Sequence, residues 1–548
     1  MVKLVLKNTL SIFTRQETGI LSAAFVIMIT VATSRVLGLV RDRMLAARFS
    51  ADDLGIYFAA FRLPNLVFEL LVMGALGAAF IPVFTTYISE DKREEAFKIA
   101  SSVINIGLFI FAILGVSVLL WAKEISRILA PGFNEQQLAL MATFTQIMVL
   151  VQVFPLVIGN FFTGILQSFK NFVIPSLAPV VYNLGIIAGI FFFTPVWGLY
   201  APVLGVCIGA VLFMLIQIPT VLGFGYKHRF SLNLNNPGVK EVGRLMLPRT
   251  FGLAVSQIDT SVDLILSTLL GARSVTIFNF AQHLQQVPIG LFGASIAQAS
   301  LPMLSSVRAK GDLDDFKKIF LASFHQILFL VLPFSVILIV LRIPAVRLVF
   351  GAERFDWEAT VLTGKTLAYF SLSIFAQALV QLLARGFYAV HDSKTPVLIS
   401  IFSVLINTIL SIYFIQVVGW PVWSLGLSTS VASILNAFLL LVFLDLRIGG
   451  FDKMGLIIPT VKIFFSAIAT GFFLYIPMKL MDKLVFDTTR TLNLIFLTGI
   501  ATLIGLSVYI FLAWFLEIEE ISNLKLIVKG IKKIKGVFIE STPEVINT

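Results

Sequence analysis

The stretch TVATSRVLGLVRDRMLAARF, residues 30–49, decides how the rest of the chain is read. It closes an apolar run that begins near Ile20. At about 1.5 Å per residue, that run reaches about 30 Å by Val40, the thickness of a bilayer's hydrocarbon core. Arg35 lies inside it. An arginine at a helix centre costs about 2.5 to 3.5 kcal/mol to insert, so such a side chain faces water, an anion or a carboxylate. Helical spacing puts Arg35, Gly38 and Asp42 on one face, with Ser34 and Arg41 beside it. This polar stripe has two readings. In one, Arg41, Arg43 and Arg48 reach up to headgroups as interfacial anchors. In the other, Arg35 and Arg41 hold an anionic group. Lys3, Lys7 and Arg15 already make the N-terminal flank basic and hence cytoplasmic, which leaves the later arginines on the side that basic residues avoid.

Outward from this stretch, composition sets the class. The chain has 548 residues, 58% of them hydrophobic and 13% charged, with 52 Phe, and a mean hydropathy of +0.96. That is a polytopic, all-α membrane protein. The net charge of +11 has a topological origin: the basic residues are spread through loops without aromatic interleaving, which excludes nucleic acid as a partner. The single cysteine, Cys207, rules out an intramolecular disulfide and a cysteine metal site. The N-terminal apolar run ends in SRVLGLVRDR and carries no small-residue cleavage site, so it reads as a retained span.

Apolar windows give about 14 transmembrane helices, near 19–42, 55–88, 98–122, 138–167, 173–194, 198–223, 246–270, 274–304, 319–343, 360–390, 396–418, 423–445, 456–481 and 491–516. An even number puts both termini on one side. The bias of Lys and Arg toward alternate loops, including Lys92, Arg93, Lys227, Arg229, Lys240, Arg244, Lys317 and Lys318, makes that side cytoplasmic. KEISRILAPGF, residues 123–133, has the spacing of an interfacial helix, as does the lysine-bearing tail from Leu524 to Val537.

At an offset of about 220 residues the chain matches itself. AAFIPVFTTYISEDKREEAFKI, from Ala78, aligns with AQASLPMLSSVRAKGDLDDFKKI, from Ala297, pairing Pro82 with Pro302. GILQSFKNFVIP, from Gly164, parallels GFYAVHDSKTP, from Gly386. Each repeat holds six spans, an even number, so the expected fold is two parallel six-helix repeats plus two C-terminal helices. The expected divisions are an N-terminal lobe at 1–226, a C-terminal lobe at 227–448, two extra helices at 449–520 and a cytoplasmic tail at 521–548.

Six motifs resemble one family: SRVLGLVRD (34–42), RLPN (62–65), LAPGF (129–133), IPSLAPVVYN (174–183), GFYAVHDSKTP (386–396) and GLSTSVASILNA (426–437). They are similar to the MurJ (MviN) lipid II flippases of the multidrug/oligosaccharidyl-lipid/polysaccharide exporter superfamily. The resemblance implies a bacterial inner-membrane transporter that carries the undecaprenyl-pyrophosphate-linked peptidoglycan precursor, lipid II, to the outer leaflet for cell-wall synthesis. It implies a cationic cavity and a groove for the lipid tail at the last two helices, at 449–520. Arg35, Arg41 and Asp42, with Ser34, Gly38 and Asn65 beside them in the matching motifs, would then bind substrate, Asp42 orienting or neutralising an arginine. Guanidinium suits the task because it keeps its charge and matches phosphate oxygens as a fork.

The chain departs from this family at two positions. An arginine expected just after LPN is replaced by Phe68, followed by Glu69, and the expected A-D-R-L reads Ala281, Gln282, His283, Leu284. Replacement cations are Arg62, Arg249 and Arg385, while His283 would be cationic only when protonated. Each has a plainer alternative: Arg249 as an interfacial anchor, Arg385 as a residue near the inner mouth, His283 as a neutral hydrogen-bonding side chain. Some relatives are thought to bind sodium with an acid at about the place of Asp263, which follows Asp259 by one turn. Asn407, Ser411 and Thr429 supply further oxygens of the kind a hard cation prefers. Na⁺ or H⁺ is therefore a candidate coupling ion, and the alternative is that Asp263 partners Arg249 or His283.

The competing functions are an exporter of another polyprenyl-linked saccharide or an amphipathic cation, and a non-transporting scaffold for other cell-wall proteins. An enzyme is not expected. No Walker A loop, zinc motif or nucleophile elbow is present, and DLDD at 312–315 reads as a helix N-cap.

Overall fold

In lipid a backbone amide has no partner outside its own segment, so apolar runs of this length fold as helices. The computed structural model describes residues 20–69, 79–484 and 490–522, except for the side chains of 20–28, 67, 247–249, 251–256 and 483–484. Its first helices are α1 (Ile20–Arg48), α2 (Ala51–Phe68), α3 (Ile81–Ser89), α4 (Arg93–Leu129), α5 (Glu135–Val151), α6 (Val153–Ser168), α7 (Val173–Trp197), α8 (Tyr200–Leu215), α9 (Ile218–Gly223) and α10 (Pro237–Leu269). Then follow α11 (Ala272–Pro288), a π-helical turn at Ile289–Ala294, α12 (Ser295–Ala309), α13 (Leu313–Val340), α14 (Arg342–Phe350), α15 (Trp357–Ser371) and α16 (Ile374–Ala389). The chain continues with α17 (Lys394–Ile412), a second π-helical turn at Tyr413–Val417, α18 (Trp423–Arg447), α19 (Lys453–Leu484) and α20 (Thr491–Phe515).

Among the described residues, 10 helices are long and apolar enough to cross a membrane, or up to 11 if α15 and α16, bent by 43°, form one span. The other three expected spans fall on α1, on α2 with α3, and on α10, each of which runs into residues or side chains outside the described set. KEISRIL is helical: it ends α4 after a kink at Trp121, whose backbone leaves the helical region. The lysine-rich tail from Leu524 lies outside the described residues.

The internal repeat reappears in backbone geometry. Pro82 opens α3 and Pro302 lies within α12, and each short helix leads through a turn into a long apolar helix, α4 or α13. The turn residue has positive φ in both copies, 60° at Asp91 and 80° at Gly311. Further on, Lys170 and His391, matched by the same offset, both sit at φ 60°. An L-residue in the left-handed region is uncommon, so its recurrence at matched positions marks repeated turns.

The chain divides into two compact units. The first is Met1–Phe280 with Val349–Thr363 and Thr408–Leu425, and the second is Ala281–Leu348 with Gly364–Asn407 and Gly426–Thr548. In the first, α7 packs on both α1 and α8. The α7–α8 contact is made by two Gly-x-x-x-Gly patterns, Gly185 with Gly189 and Gly205 with Gly209. A Cβ on Gly189 would lie 2.3 Å from Gly205 Cα, and one on Gly185 would lie 2.5 Å from Gly209 Cα. Only glycine permits that approach, which brings two backbones into van der Waals contact where lipid offers no hydrophobic drive for association. In the second unit, Phe316, Phe320, Ile327 and Leu382 are fully buried in a core built on α13 and α16, and Ile463 of α19 joins it.

Candidate functional site

The site residues of α1 are held by α7. Arg41 directs Nη2 and Nε at Asp42 Oδ1, at 2.8 and 2.9 Å. Its Nη1 donates to Asn183 Oδ1 at 3.2 Å, a contact between residues 142 apart in sequence. Asn183 Nδ2 donates in turn to Ser34 Oγ at 3.2 Å and to Pro179 O at 3.1 Å. The side chain of Asp42 is 2% exposed and that of Arg41 22%. The buried carboxylate therefore keeps a cation beside it while part of the guanidinium stays open.

Arg35 is different. It is exposed and makes no hydrogen bond or ion pair among the described residues. One turn on, a Cβ at Gly38 would meet nothing within 4 Å, so this side of α1 faces open space. The helix thus presents an uncompensated guanidinium above a compensated one. Although the spacing places Arg35 and Asp42 on one face, they differ in burial because the later part of α1 has neighbours that the earlier part lacks.

Arg62 forms a second cluster, between α2 and α10. It is buried. Its Nε and Nη2 donate to Ser261 Oγ at 3.1 and 2.9 Å, and Nη2 also donates to Gln257 O at 2.6 Å and to Gln257 Oε1 at 3.0 Å. Gln257 Nε2 donates to Glu69 Oε2, and Glu69 Oε1 accepts from Asn65 Nδ2 at 2.9 Å. The carboxylate that stands near the expected arginine position thus closes a chain of hydrogen bonds from Arg62 through Gln257. Arg62 is engaged inside the protein and ties α2 to α10.

The remaining candidates are spread over the chain. His283 is half-buried on α11 and has partners of its own. Arg385, on α16, is half-buried with Nη1 enclosed and lacking a hydrogen bond among the described residues. Arg249 belongs to α10, but its side chain lies outside the described residues. Asp263 and Ser411 are buried in the first unit, Asn407 is buried in the second, and Thr429, also in the second, is half-buried; all four make polar contacts. Outside the spans, the Asp392 carboxylate accepts from Thr395 and Lys394 backbone N–H groups at 3.1 Å each, which cap α17 and hold its pKa below the ordinary value.

Three residues were not foreseen from the sequence: Asn183, Gln257 and Ser261. The signal was present for Asn183, a lone amide in the apolar run of α7. Such a side chain in lipid needs a polar partner, and an arginine on a neighbouring span is one.

This geometry can be set beside known proteins. The sequence matches the family described as "Lipid II flippase MurJ" over residues 45–523, a range that begins just after the Arg35 to Asp42 stripe. It is 30% identical to the lipid II flippase MurJ of Burkholderia cenocepacia over 424 residues, covering 76% of this chain and 81% of that protein. It is 28% identical to the probable lipid II flippase MurJ of Bdellovibrio bacteriovorus over 513 residues, covering 92% and 96%. The fold superposes on a solved structure of "Lipid II flippase MurJ, inward closed conformation" with a TM-score of 0.75 and 24% identity, covering 90% of this chain and 98% of that one. An inward-facing MATE-family multidrug transporter of the MOP superfamily matches with a TM-score of 0.63 and 14% identity, over 77% of this chain and 98% of that one. The extent of the family match, together with the identity to the Burkholderia protein over most of both chains, shows that this chain belongs to the MurJ lipid II flippase family.

Proposed function

We propose that this chain is a non-enzymatic flippase that moves lipid II, the undecaprenyl-pyrophosphate-linked peptidoglycan precursor, from the inner to the outer leaflet of the bacterial inner membrane by alternating access. The observation that carries this reading is the family match across residues 45–523. The α1 stripe supplies chemistry suited to the cargo. Arg35, exposed and uncompensated, is the capture residue for pyrophosphate, and Arg41, held by Asp42 and Asn183, is the preorganised second contact. Both termini are assigned to the cytoplasm on the bias of Lys and Arg among the loops. An inward-negative potential then drives an anion outward by about 2.3 kcal/mol per charge per 100 mV. Asp263, Asn407, Ser411 and Thr429 are assigned to a coupling Na⁺ or H⁺, and the last two helices, α19 and α20, to the lipid tail.

A specific observation supports a second reading, export of a different polyprenyl-linked saccharide: Phe68, followed by Glu69, and His283 stand where the resemblance leads one to expect arginines. Complementation of a strain depleted of its own lipid II flippase separates the two. Wild type at matched expression should restore growth, and Arg35→Ala should not. Correct insertion without rescue transfers the assignment to the other cargo, and rescue by Arg35→Ala removes the pyrophosphate-capture role.

A further inference from the structure

We propose that a crevice between α4 and α10 is a binding site for an acyl chain of an anionic membrane phospholipid, distinct from the transported lipid. The crevice encloses about 150 Å³, and every residue lining it is apolar. Ile106, Gly107 and Ile110 of α4 form one wall, and Val242, Gly243 and Met246 of α10 the other, both at helical spacing. Gly243 leaves its wall open, since a Cβ there would meet nothing within 4 Å. Apolar cavities of about this size stay dry and accept apolar guests.

Two features identify the guest. The first is where the crevice opens. Ile110 lines it and is also 37% exposed, next to the exposed Phe109, on a helix long and apolar enough to cross a membrane. The mouth therefore gives onto the lipid-facing side of a span. The second is the segment that roofs it. Asn105 Nδ2 donates to Arg229 O and Ser231 O at 2.9 and 3.0 Å, and Arg229 N donates to Ser101 Oγ at 3.2 Å, laying the connector before α10 across α4. Along it, where residues 227–235 are all exposed, every second position from 230 to 234 is apolar, Phe230 at 96% exposure, Leu232 and Leu234, and Leu234 also lines the crevice. Three outward apolar side chains at period two suit insertion among acyl chains and headgroups. The charges on this connector and the first turns of α10 are Lys227, Arg229, Lys240 and Arg244 against Glu241 alone, and all are exposed. A basic rim over an apolar slot complements an anionic headgroup with its chain inserted below.

The test uses wild-type protein in proteoliposomes with trace phosphatidylglycerol carrying a diazirine in its acyl chain, and adducts are mapped by peptide mass spectrometry after illumination. Adducts should concentrate on 103–111 and 239–246. The same probe with a choline headgroup should label these peptides less by about tenfold or more, the size expected of two basic side chains at a bilayer surface. Gly243→Leu should remove most of this labelling, Gly243→Ala should reduce it, and labelling of exposed α19 near Phe472 should stay unchanged, which controls for folding. Lys240→Ser with Arg244→Ser should bring phosphatidylglycerol labelling down to the choline level. Labelling no denser than on α19, or unmoved by Gly243→Leu, overturns the proposal, as does displacement of the probe by lipid II at equimolar amounts, because the crevice would then hold the substrate's tail.

Discussion

The Arg41–Asp42 pair allows folding and transport to be pulled apart. With Nη2 2.8 Å from Oδ1, the gross Coulomb attraction is about 6 kcal/mol at an effective dielectric of about 20. Desolvation offsets much of it, so the pair as a whole contributes little to stability. Removing one partner is another matter. Arg41→Ala takes the guanidinium 2.8 Å away from the carboxylate of Asp42, which is 2% exposed, and also deprives Asn183 Oδ1 of its donor. A loss of about 3 to 5 kcal/mol is expected, the range for breaking a buried ion pair. Replacing both, Arg41→Ala with Asp42→Ala, removes the buried carboxylate together with its cation and should recover most of that loss. Arg35→Ala, at an exposed and unpaired position, should change stability by no more than about 0.5 kcal/mol. All three should fail to complement a flippase-depleted strain. Stability is read from thermal unfolding of detergent-purified protein by fluorescence-detected size exclusion, with quantified membrane levels for the growth assay. If Arg41→Ala unfolds like wild type, or the double variant is no more stable than Arg41→Ala, the account of a buried carboxylate held by its neighbour is wrong.

Two further expectations concern packing and pH. Gly189→Leu would place a Cβ 2.3 Å from Gly205 Cα, forcing α7 and α8 apart at a cost of about 1 to 3 kcal/mol or more, seen as a lower unfolding temperature, whereas Gly499→Leu on α20, where a Cβ meets nothing within 4 Å, should be neutral. Glu520, past the end of α20, is 8% exposed, with Oε2 lacking a hydrogen bond among the described residues and Oε1 4.0 Å from His325 Nδ1. Burial raises its pKa above the ordinary 4.5, the charge of Glu519 adds to the shift, and its own backbone N–H opposes it. The folded state therefore binds this proton more tightly than the unfolded chain does: the stabilisation is complete below pH 4.5 and is lost as pH rises through the raised pKa. Glu520→Gln should flatten the dependence of unfolding temperature on pH and unfold higher than wild type at pH about 8. A lower unfolding temperature there would mean that an ionised pair with His325 holds the segment instead.

The helices and their membrane class were legible because both are local properties. Long apolar windows force intrasegment hydrogen bonding wherever the chain later packs, and the offset of about 220 residues that pairs Pro82 with Pro302 is also the offset between the left-handed turns at Asp91 and Gly311. Family membership was legible too, from motifs spread over nearly the whole chain. The state of each candidate cation was not. Arg35, Arg41 and Arg62 are alike as sequence, three arginines within or beside apolar runs, yet one is open, one half-compensated and one fully engaged. Their differences come from Asn183, 142 residues from Arg41, and from Gln257 and Ser261, 195 and 199 residues from Arg62. The sequence by itself determined which segments are helices, that they span a membrane, and which residues carry fixed charge. The tertiary structure alone decided which charges are neutralised, where glycines let helices touch, and where one leaves a crevice, because burial and pairing depend on neighbours that only packing brings together.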